Sequence, residues 1–438
     1  MTMSFTKVAL LSMCTRMLVL LMVLTAPVAL ATADETELPI VAPESVGLDP
    51  QRLDRLTEFL ENAIADGEIA GAVVLVSRHG SIALYEALGK LGPADDTPMP
   101  KDAIFRIYSM TKPITALTVL RAVERGEISL VDKLSQYLPA FENMTVLNER
   151  HVRGFNEPEL TRPALDQIVL FDLVRHAGGF GDETFYPGYV GEQFRAAGIG
   201  HNMELTLAEA VKSAAEIPLL YDPGTHFSYA ETNFTVLGRV LEVVHDKAID
   251  DIYAEDIFGP LGMVDTGFQI PADNADRLAQ PIERANGPDA NLVFDAATPR
   301  NYHSTANGLV STALDYWRFV QMLLDDGTTK DGNVFLAPVS VNAMLTNSIS
   351  NVALGYHYNF DSLMIGCSWG IGIGVCGEDT SSAVLFGDNT FFWVGYGGTF
   401  FLANRDSNFA MLVMIQQPDY LVTGWSHLYS LAMQSIVD

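Results

Sequence analysis

The sequence predicts an α+β protein whose antiparallel sheet is built from both ends of the chain. A strand-like segment covers 71–89 and others lie within 369–416, while the periodicity between them is mainly helical. Terminal segments that pair into one sheet leave the intervening helices as an inserted lobe. We therefore expect an α/β lobe over about 34–104 and 325–438, and a helical lobe over about 105–324.

The individual elements follow from local patterns. A helix is predicted over "LDPQRLDRLTEFLENAIADG" (48–67), because Asp49 can cap it and Pro50 suits its first turn. The 71–89 segment divides into two strands joined at His79-Gly80. The later strands and the closing helix are predicted at "WGIGIGV" (369–375), "TFFWVGY" (390–396), "GTFFLAN" (398–404), "NFAMLVMIQ" (408–416) and "GWSHLYSLAMQSIV" (424–437).

The first 33 residues are typical of a secretory signal peptide. Lys7 and Arg16 precede the apolar run 17–31, and small residues make cleavage after Ala31 or Ala33 plausible. A membrane anchor is the alternative, but an apolar run of about 15 residues is short for a span. We expect a mature domain over 34–438 in the periplasm or outside the cell, with no other membrane-crossing segment.

The net charge of −28 argues against nucleic acid and anionic lipid as partners, because the surface repels both. Beyond the leader, Cys367 and Cys376 lie nine residues apart. In an oxidising compartment they could form a disulfide, and two reduced, buried thiols are an equally open alternative. With no histidine cluster near them, no metal site is expected.

Two serines compete for the role of nucleophile. Ser368 in "GCSWG" has G-x-S-x-G spacing, but such an elbow requires a strand, a sharp turn and then a helix. A glycine-rich strand pattern follows Ser368 instead, and His427 is the only histidine downstream. We therefore interpret this G-x-S-x-G match as accidental.

Ser109 in "SMTK" opens a helical pattern, and Lys112 lies one turn further along the same face. The positive end of a helix, together with burial, favours a neutral lysine that can accept the serine proton. The spacing alone is a weak signal, because Ser4 and Lys7 in the leader share it. A capping serine beside a solvated lysine is the simpler interpretation of such a pair.

Other segments of the sequence favour a catalytic serine and lysine over this simpler interpretation. The segment "FRIYSMTKPITALTVLRAVERGEISLVDKLSQYLP" resembles the active-serine helix of the serine β-lactamase and penicillin-binding-protein superfamily. Further matches follow in order, and the whole set is most similar to family VIII carboxylesterases, relatives of class C β-lactamases. They are "LVRHAGGF" (173–180), "FRAAGIGHNMELTLAEAVK" (194–212), "PGTHFSYAETNFTVLGRVLE" (223–242) and "GLVSTALDYWRFVQML" (308–323).

The resemblance also implies roles for the second family motif, Y-x-N, which stands here as Tyr229-Ala230-Glu231. The tyrosine is expected to move protons, and Glu231 replaces the asparagine. A carboxylate beside Lys112 favours the charged lysine, which cannot accept a proton. Tyr229 then becomes the stronger candidate for the base. Of two further histidines, His176 matches a structural position of the family, and His226, next to the Tyr229 segment, is either a pocket residue or, more simply, a loop residue.

The third family motif is K-T-G in β-lactamases, and K-T-G is absent from this sequence. Trp393-Val394-Gly395 stands in its place, the W-x-G form of family VIII esterases, which weakens the case for penicillins as substrates. We expect Trp393 and Gly395, together with Glu231, to bind substrate, with Trp393 as an apolar wall. The amides of Ser109 and Tyr396 are expected to form the oxyanion hole.

These residues predict an exported serine hydrolase that forms an acyl-enzyme on Ser109, without a metal or organic cofactor. The resemblance alone implies small, short-chain esters as its substrates. β-Lactam hydrolysis, D-amino-acid peptide cleavage or acyl transfer on the same serine are alternatives. A catalytically silent binding protein is a further alternative, which Glu231 alone favours.

Overall fold

The computed structural model describes residues 40–94, 96–148, 161–186, 188–199, 204–283, 294–355, 366–377 and 387–438. The predicted signal peptide, with Ser4 and Lys7, lies outside the described residues. The leader therefore stays a prediction. The division of the chain into two lobes also stays a prediction.

Strands from both ends of the chain share one sheet. The strands of the described residues are β1 (Gly71–Arg78), β2 (Ser81–Gly89), β3 (Phe105–Arg106), β4 (Thr145–Leu147), β5 (Thr161–Pro163), β6 (His226–Phe227), β7 (Val310–Ser311), β8 (Ala353–Leu354), β9 (Ser368–Trp369), β10 (Gly374–Cys376), β11 (Thr390–Val394), β12 (Phe400–Asn404) and β13 (Phe409–Ile415). Seven of them form a sheet in the order β2-β1-β13-β12-β11-β10-β9, and every neighbouring pair is antiparallel. The predicted fold class is confirmed.

Helices occupy most of the chain between the two groups of strands. They are α1 (Pro50–Ala65), α2 (Thr111–Glu124), α3 (Leu170–Val174), α4 (Tyr189–Ala196), α5 (Leu207–Ala214), α6 (Glu231–His245), α7 (Ile249–Tyr253), α8 (Gly259–Leu261), α9 (Ala313–Leu324), α10 (Pro338–Met344) and α11 (Leu421–Met433). A π-helical segment, Ala254–Phe258, joins α7 to α8. None of the helices within the described ranges is long and apolar enough to cross a membrane.

Both faces of the sheet are covered. All eight residues of β1 are buried, so neither face of this strand meets solvent. Helix α9 packs against β1, β12 and β13, and α1 packs against α11 and the β1–β2 hairpin. Asp49 caps α1 as predicted, by accepting hydrogen bonds from the amides of Gln51 and Arg52.

Two predicted elements differ from the structure. The "WGIGIGV" pattern is not one strand, because a turn separates β9 from β10. Gly372 in this turn has a φ of 72°, and a Cβ there would lie 2.4 Å from the Cβ of Ala116 on α2. The turn thus packs directly on α2, which a straight strand could not do. The closing helix begins at Leu421 instead of 424 and ends at Met433.

A short pairing brings two distant parts of the chain beside the start of α2. In the β3–β7 ladder, Arg106 lies opposite Val310. The Ile107 amide extends the pairing by donating to the Leu309 carbonyl at 3.0 Å. The segment that leads to Ser109 is therefore held against the segment that contains Ala306.

Candidate active site

Ser109 lies in a 3-10 turn, Tyr108–Met110, immediately before α2. Tyr108 has a φ of 42°, a left-handed conformation that is costly for an aromatic residue. Its ring contacts those of Phe294 and Tyr396 edge-on, with centroids 5.9 and 5.7 Å apart, and these contacts hold the turn. The strained turn leaves Ser109 partly exposed while its neighbours in the chain are buried.

Lys112 lies directly behind the serine. Its side chain is 0% exposed, and Nζ donates to Ser109 Oγ at 3.1 Å and to the Ala306 carbonyl at 3.0 Å. Burial lowers the pKa of Lys112 from 10.5 to about 8, although the charges of Glu231 and Asp182 oppose the change. A lysine with this pKa is partly neutral near pH 8 and can accept the proton of Ser109.

Tyr229 is the third group at the serine. It is 2% exposed, hydrogen-bonds with Ser109, and lies with its ring centroid 4.8 Å from Lys112 Nζ. Burial raises the pKa of Tyr229 well above 10, against the opposite influence of the hydrogen bond to Ser109. The hypothesis that the Glu231 carboxylate shifts the role of base to Tyr229 is therefore disfavoured. A neutral phenol can instead relay a proton between Ser109 and the leaving group.

Two polar residues that the sequence analysis did not identify, Asp182 and Asn307, form hydrogen bonds with Glu231. Asp182 is 4% exposed and accepts hydrogen bonds from the amides of Thr184 and Phe185 at 2.9 and 2.7 Å. It also accepts from the Glu231 amide at 2.8 Å, at the first residue of α6. Burial raises the pKa of Asp182 to about 7, and the charge of Glu231 adds to the increase.

Asn307 is the second missed residue. Its Nδ2 donates to Glu231 Oε1 at 2.7 Å, and the adjacent Ala306 carbonyl accepts from Lys112. Asn307 lies 76 residues from Glu231 in the chain, so no spacing rule could have paired the two residues. Asp182, by contrast, had a signal in the sequence, the cluster "GFGDE" (179–183). An aspartate after glycine is typical of a turn in which the carboxylate accepts hydrogen bonds from backbone amides.

The W-x-G segment is at the end of β11, which packs against the 3-10 turn of Ser109. Trp393 is 0% exposed, and its ring lies 4.4 Å from that of Trp369 and 5.6 Å from that of Tyr229. The expectation that Trp393 forms an open wall for substrate is therefore wrong for this structure. The indole instead packs against Tyr229 and hydrogen-bonds with it, and so helps to hold the buried phenol in place.

Gly395 allows the two backbones to touch. A Cβ at this position would lie 2.3 Å from the Ile107 carbonyl oxygen and 2.3 Å from Thr399 Oγ1. Tyr396 follows at once, with 37% of its surface exposed and its ring against Tyr108. The structure thus brings Tyr396 beside the turn of Ser109, and its role in an oxyanion hole stays a prediction.

Ser368 has different surroundings. It forms β9 with Trp369, and its hydroxyl donates to Asn347 Oδ1 at 2.6 Å. The strand is followed by the turn into β10 and not by a helix, so the geometry of a nucleophile elbow is absent from this described segment. Cys367 and Cys376 form a disulfide that joins β9 to β10, which decides between the two alternatives for these thiols.

His176 contacts Tyr229 directly, whereas His226 packs against Tyr221. His176 is fully buried, and its ring packs 4.4 Å from Tyr229 while Nδ1 accepts from the Ala230 amide at 3.3 Å. It therefore orients the tyrosine motif from behind. His226 begins the short strand β6 and stacks on Tyr221 at 4.2 Å, so the expectation of a loop residue is wrong, and a place in the pocket stays a prediction. Among the described residues, no three potential ligands are grouped so that they could hold a metal ion.

Comparison with known proteins agrees with this arrangement. The model of the family described as Beta-lactamase matches residues 56–424, most of the chain. This chain belongs to the β-lactamase family. It is therefore a serine hydrolase of the serine β-lactamase and penicillin-binding-protein superfamily.

The proteins that it resembles in sequence include one that is named as an esterase. Protein Rv1367c of Mycobacterium tuberculosis is 31% identical over 365 residues, which cover 81% of this chain and 88% of that protein. Esterase EstB of Burkholderia gladioli is 31% identical over 234 residues, covering 52% of this chain and 54% of EstB. A putative D-alanyl-D-alanine carboxypeptidase of Salmonella enteritidis is 26% identical over 241 residues, about half of each chain.

Solved structures share the fold. The structure of "EstCE1, a hydrolase with promiscuous acyltransferase activity" has a TM-score of 0.71 at 22% identity, and covers 89% of this chain and 99% of its own. A penicillin-binding-protein homologue from Caulobacter crescentus has a TM-score of 0.66 at 18% identity, with coverages of 89% and 99%. At these identities the similarity shows the fold alone.

Proposed function

We propose that this chain is an exported carboxylesterase that works through an acyl-enzyme on Ser109. The observation that carries the proposal is the 3.1 Å contact between Lys112 Nζ and Ser109 Oγ, made by a lysine whose pKa burial lowers to about 8. A partly exposed hydroxyl with a buried base behind it is the arrangement that an activated nucleophile requires. The relationship to Esterase EstB favours an ester over other acyl compounds.

The proposed reaction has two halves. In the first, Ser109 Oγ attacks the ester carbonyl carbon, and its proton passes to neutral Lys112. The carbonyl oxygen becomes an oxyanion, which the amides of Ser109 and Tyr396 stabilise. The carbon–oxygen bond to the alcohol then breaks, and the alcohol oxygen takes a proton from Lys112 through the Tyr229 hydroxyl. In the second half, water gives a proton to Lys112 and attacks the acyl carbon. The bond from that carbon to Ser109 Oγ then breaks, the carboxylic acid leaves, and Ser109 Oγ takes back the proton.

Small esters with short acyl chains are the proposed substrates. The half-buried rings of Phe185 and Phe294, together with Tyr396, lie near Tyr229 or Tyr108 and offer apolar surface beside the serine. The lysine of K-T-G, which binds a substrate carboxylate in β-lactamases, is absent from the sequence. β-Lactam hydrolysis is therefore proposed only as a weak side activity.

Export is supported by two independent features. The apolar N-terminal run predicts a signal peptide, and the disulfide between Cys367 and Cys376 is a bond that persists in oxidising compartments. We infer a periplasmic or secreted location from the two together.

Covalent labelling tests the nucleophile. Purified mature protein is treated with a fluorophosphonate, and the labelled peptide is identified by mass spectrometry. We expect label on Ser109, loss of label in Ser109→Ala, and full labelling in the control Ser368→Ala. Label on Ser368, or on neither serine, contradicts the proposal. Turnover of a short 4-nitrophenyl ester against a chromogenic cephalosporin then separates esterase from β-lactamase, and a large preference for the cephalosporin refutes the esterase assignment.

A further inference from the structure

Glu231 brings a carboxylate to a position where the related motif has asparagine. The residue is half-buried, and Asn307 Nδ2 holds its Oε1 at 2.7 Å. After burial, Glu231 has the strongest influence on the pKa of Lys112, and its charge also acts on Tyr229. A charge that acts on both groups around Ser109 lies close enough to act on a substrate bound to that serine.

The nearest cation does not cancel this charge at the exposed side of the site. Lys112 is 0% exposed, whereas Glu231 and Asn307 both retain exposed surface. Lys112 must also be neutral when it accepts the proton of Ser109, so the reactive state lacks its positive charge. Asp182, which accepts from the Glu231 amide, adds a second carboxyl group beside the same lysine.

Two arginines in the neighbourhood are engaged elsewhere. Arg106 donates to the carbonyls of Phe294 and Ala279 at 2.5 and 3.0 Å, and Arg300 donates to the Gly308 carbonyl at 3.1 Å. Both guanidinium groups lie over the ring of Phe294, at 5.6 and 4.0 Å from its centroid. Asp295 is the acidic residue whose charge acts on both arginines, so it is Asp295 and not Glu231 that they offset.

We propose that Glu231 determines substrate specificity by charge, favouring esters that carry a cationic group close to the ester bond and rejecting those that carry an anionic group. This inference rests on the proposed esterase function and names its substrate class. A quaternary ammonium group can approach the half-buried Glu231 carboxylate, whereas a carboxylate or sulfonate meets like charge there.

Esters that differ only in charge test the proposal. The alcohol-side series is acetylcholine, its uncharged isostere 3,3-dimethylbutyl acetate, and the anionic 2-acetoxyethanesulfonate. The acyl-side series is the 4-nitrophenyl ester of 4-(trimethylammonio)butanoate and that of its uncharged isostere, 5,5-dimethylhexanoate. Each kcat/KM is measured by acid or nitrophenol release for wild type, Glu231→Gln and Asp246→Asn.

The two variants are a matched pair. Glu231→Gln keeps the shape and the acceptor for Asn307 while removing the charge. Asp246→Asn removes one charge at the other end of α6, about 22 Å away along the helix axis. That distance exceeds the screening length of about 8 Å at physiological ionic strength, and asparagine tolerates the left-handed conformation of this residue (φ 50°).

We expect wild type to prefer the cationic ester over its uncharged isostere in at least one series. Glu231→Gln should lower that preference about tenfold, equivalent to about 1.4 kcal/mol, and should improve relative turnover of the sulfonate. Asp246→Asn should match wild type. Unchanged ratios in Glu231→Gln in both series, with the uncharged esters still hydrolysed, overturn the inference alone. If wild type hydrolyses none of the esters, the proposed function falls and the inference falls with it.

Discussion

Replacing Lys112 with methionine should abolish ester hydrolysis and yet leave the folded protein as stable as wild type or more so at pH 7. Burial lowers the pKa of Lys112 from 10.5 to about 8. At 1.36 kcal/mol per unit of pKa, the charged lysine costs the folded state about 3.4 kcal/mol at neutral pH. Methionine fills a similar volume with a flexible, apolar chain and carries no such cost.

The gain is reduced by the loss of two hydrogen bonds. Without the ammonium group, the Ala306 carbonyl loses a donor that lies 3.0 Å away, at a cost of about 1–3 kcal/mol. The variant should therefore be about 0–2 kcal/mol more stable than wild type at pH 7. Its ester turnover should fall by about 10²–10⁴-fold, because the base for Ser109 is gone.

The pH dependence gives a sharper result, because the hydrogen-bond contribution cancels. The folded pKa of Lys112 lies below the unfolded value, so the unfolded chain binds more protons between pH 8 and 10.5, and wild type becomes more stable as pH rises through this window. The cost of the charged lysine falls from about 3.4 kcal/mol at pH 7 to about 1.4 kcal/mol at pH 9.5. The variant should lose about 2 kcal/mol of its relative stability over that interval. Asp182 adds to this loss, because its pKa rises further without the ammonium group.

Urea unfolding of wild type and Lys112→Met at pH 7 and pH 9.5 measures this difference. The exposed Lys212→Met on α5 is the matched control, because lysine and methionine have similar helix propensities and its charge is hydrated in both states. The control should show the same stability difference at both pH values. A pH-independent difference for Lys112→Met would refute the conclusion that burial lowers the pKa of Lys112.

Three further outcomes are expected. The kcat/KM for an uncharged ester should rise with pH and be half-maximal near the Lys112 pKa of about 8, and Glu231→Gln should move this limb to lower pH, because the carboxylate stabilises the ammonium. Gly395→Ala should lower kcat and stability, since its Cβ would meet the Ile107 carbonyl at 2.3 Å, whereas Gly377→Ala has nothing within 4 Å and should leave both intact. Replacing both disulfide cysteines with serine should lower the free energy of unfolding by about 2–3 kcal/mol, measured against wild type with and without reductant.

Sequence reasoning predicted the parts of this protein that depend on local spacing. Ser109 and Lys112 meet because one helical turn separates them, and the hairpin turns at His79 because its chain neighbour is glycine. The antiparallel sheet was also predictable, since strand patterns occur at both ends of the chain. Each of these features is determined by residues close together in sequence.

The features that were missed depend on contacts between distant segments. Nothing in the spacing of "WVGY" indicates that Trp393 is covered by Trp369 and Tyr229 instead of facing a substrate. The pairing of Asn307 with Glu231 likewise depends on a contact between distant segments, since Thr305 Oγ1 donates to the Phe234 carbonyl of α6 at 2.8 Å.

Glu231, at a position where the related motif has asparagine, places a negative charge that acts on Lys112. An acid beside a catalytic lysine favours its charged form, and this alone would make Lys112 a poor base at neutral pH. Complete burial opposes that influence strongly enough to hold the pKa near 8, and the elevated pKa of Asp182 keeps part of the second carboxyl group protonated at neutral pH. The site can therefore carry a carboxylate at its exposed side and a working base behind it. In the proposed mechanism, charge selection by Glu231 and proton transfer by Lys112 would therefore take place at different depths of the same cluster.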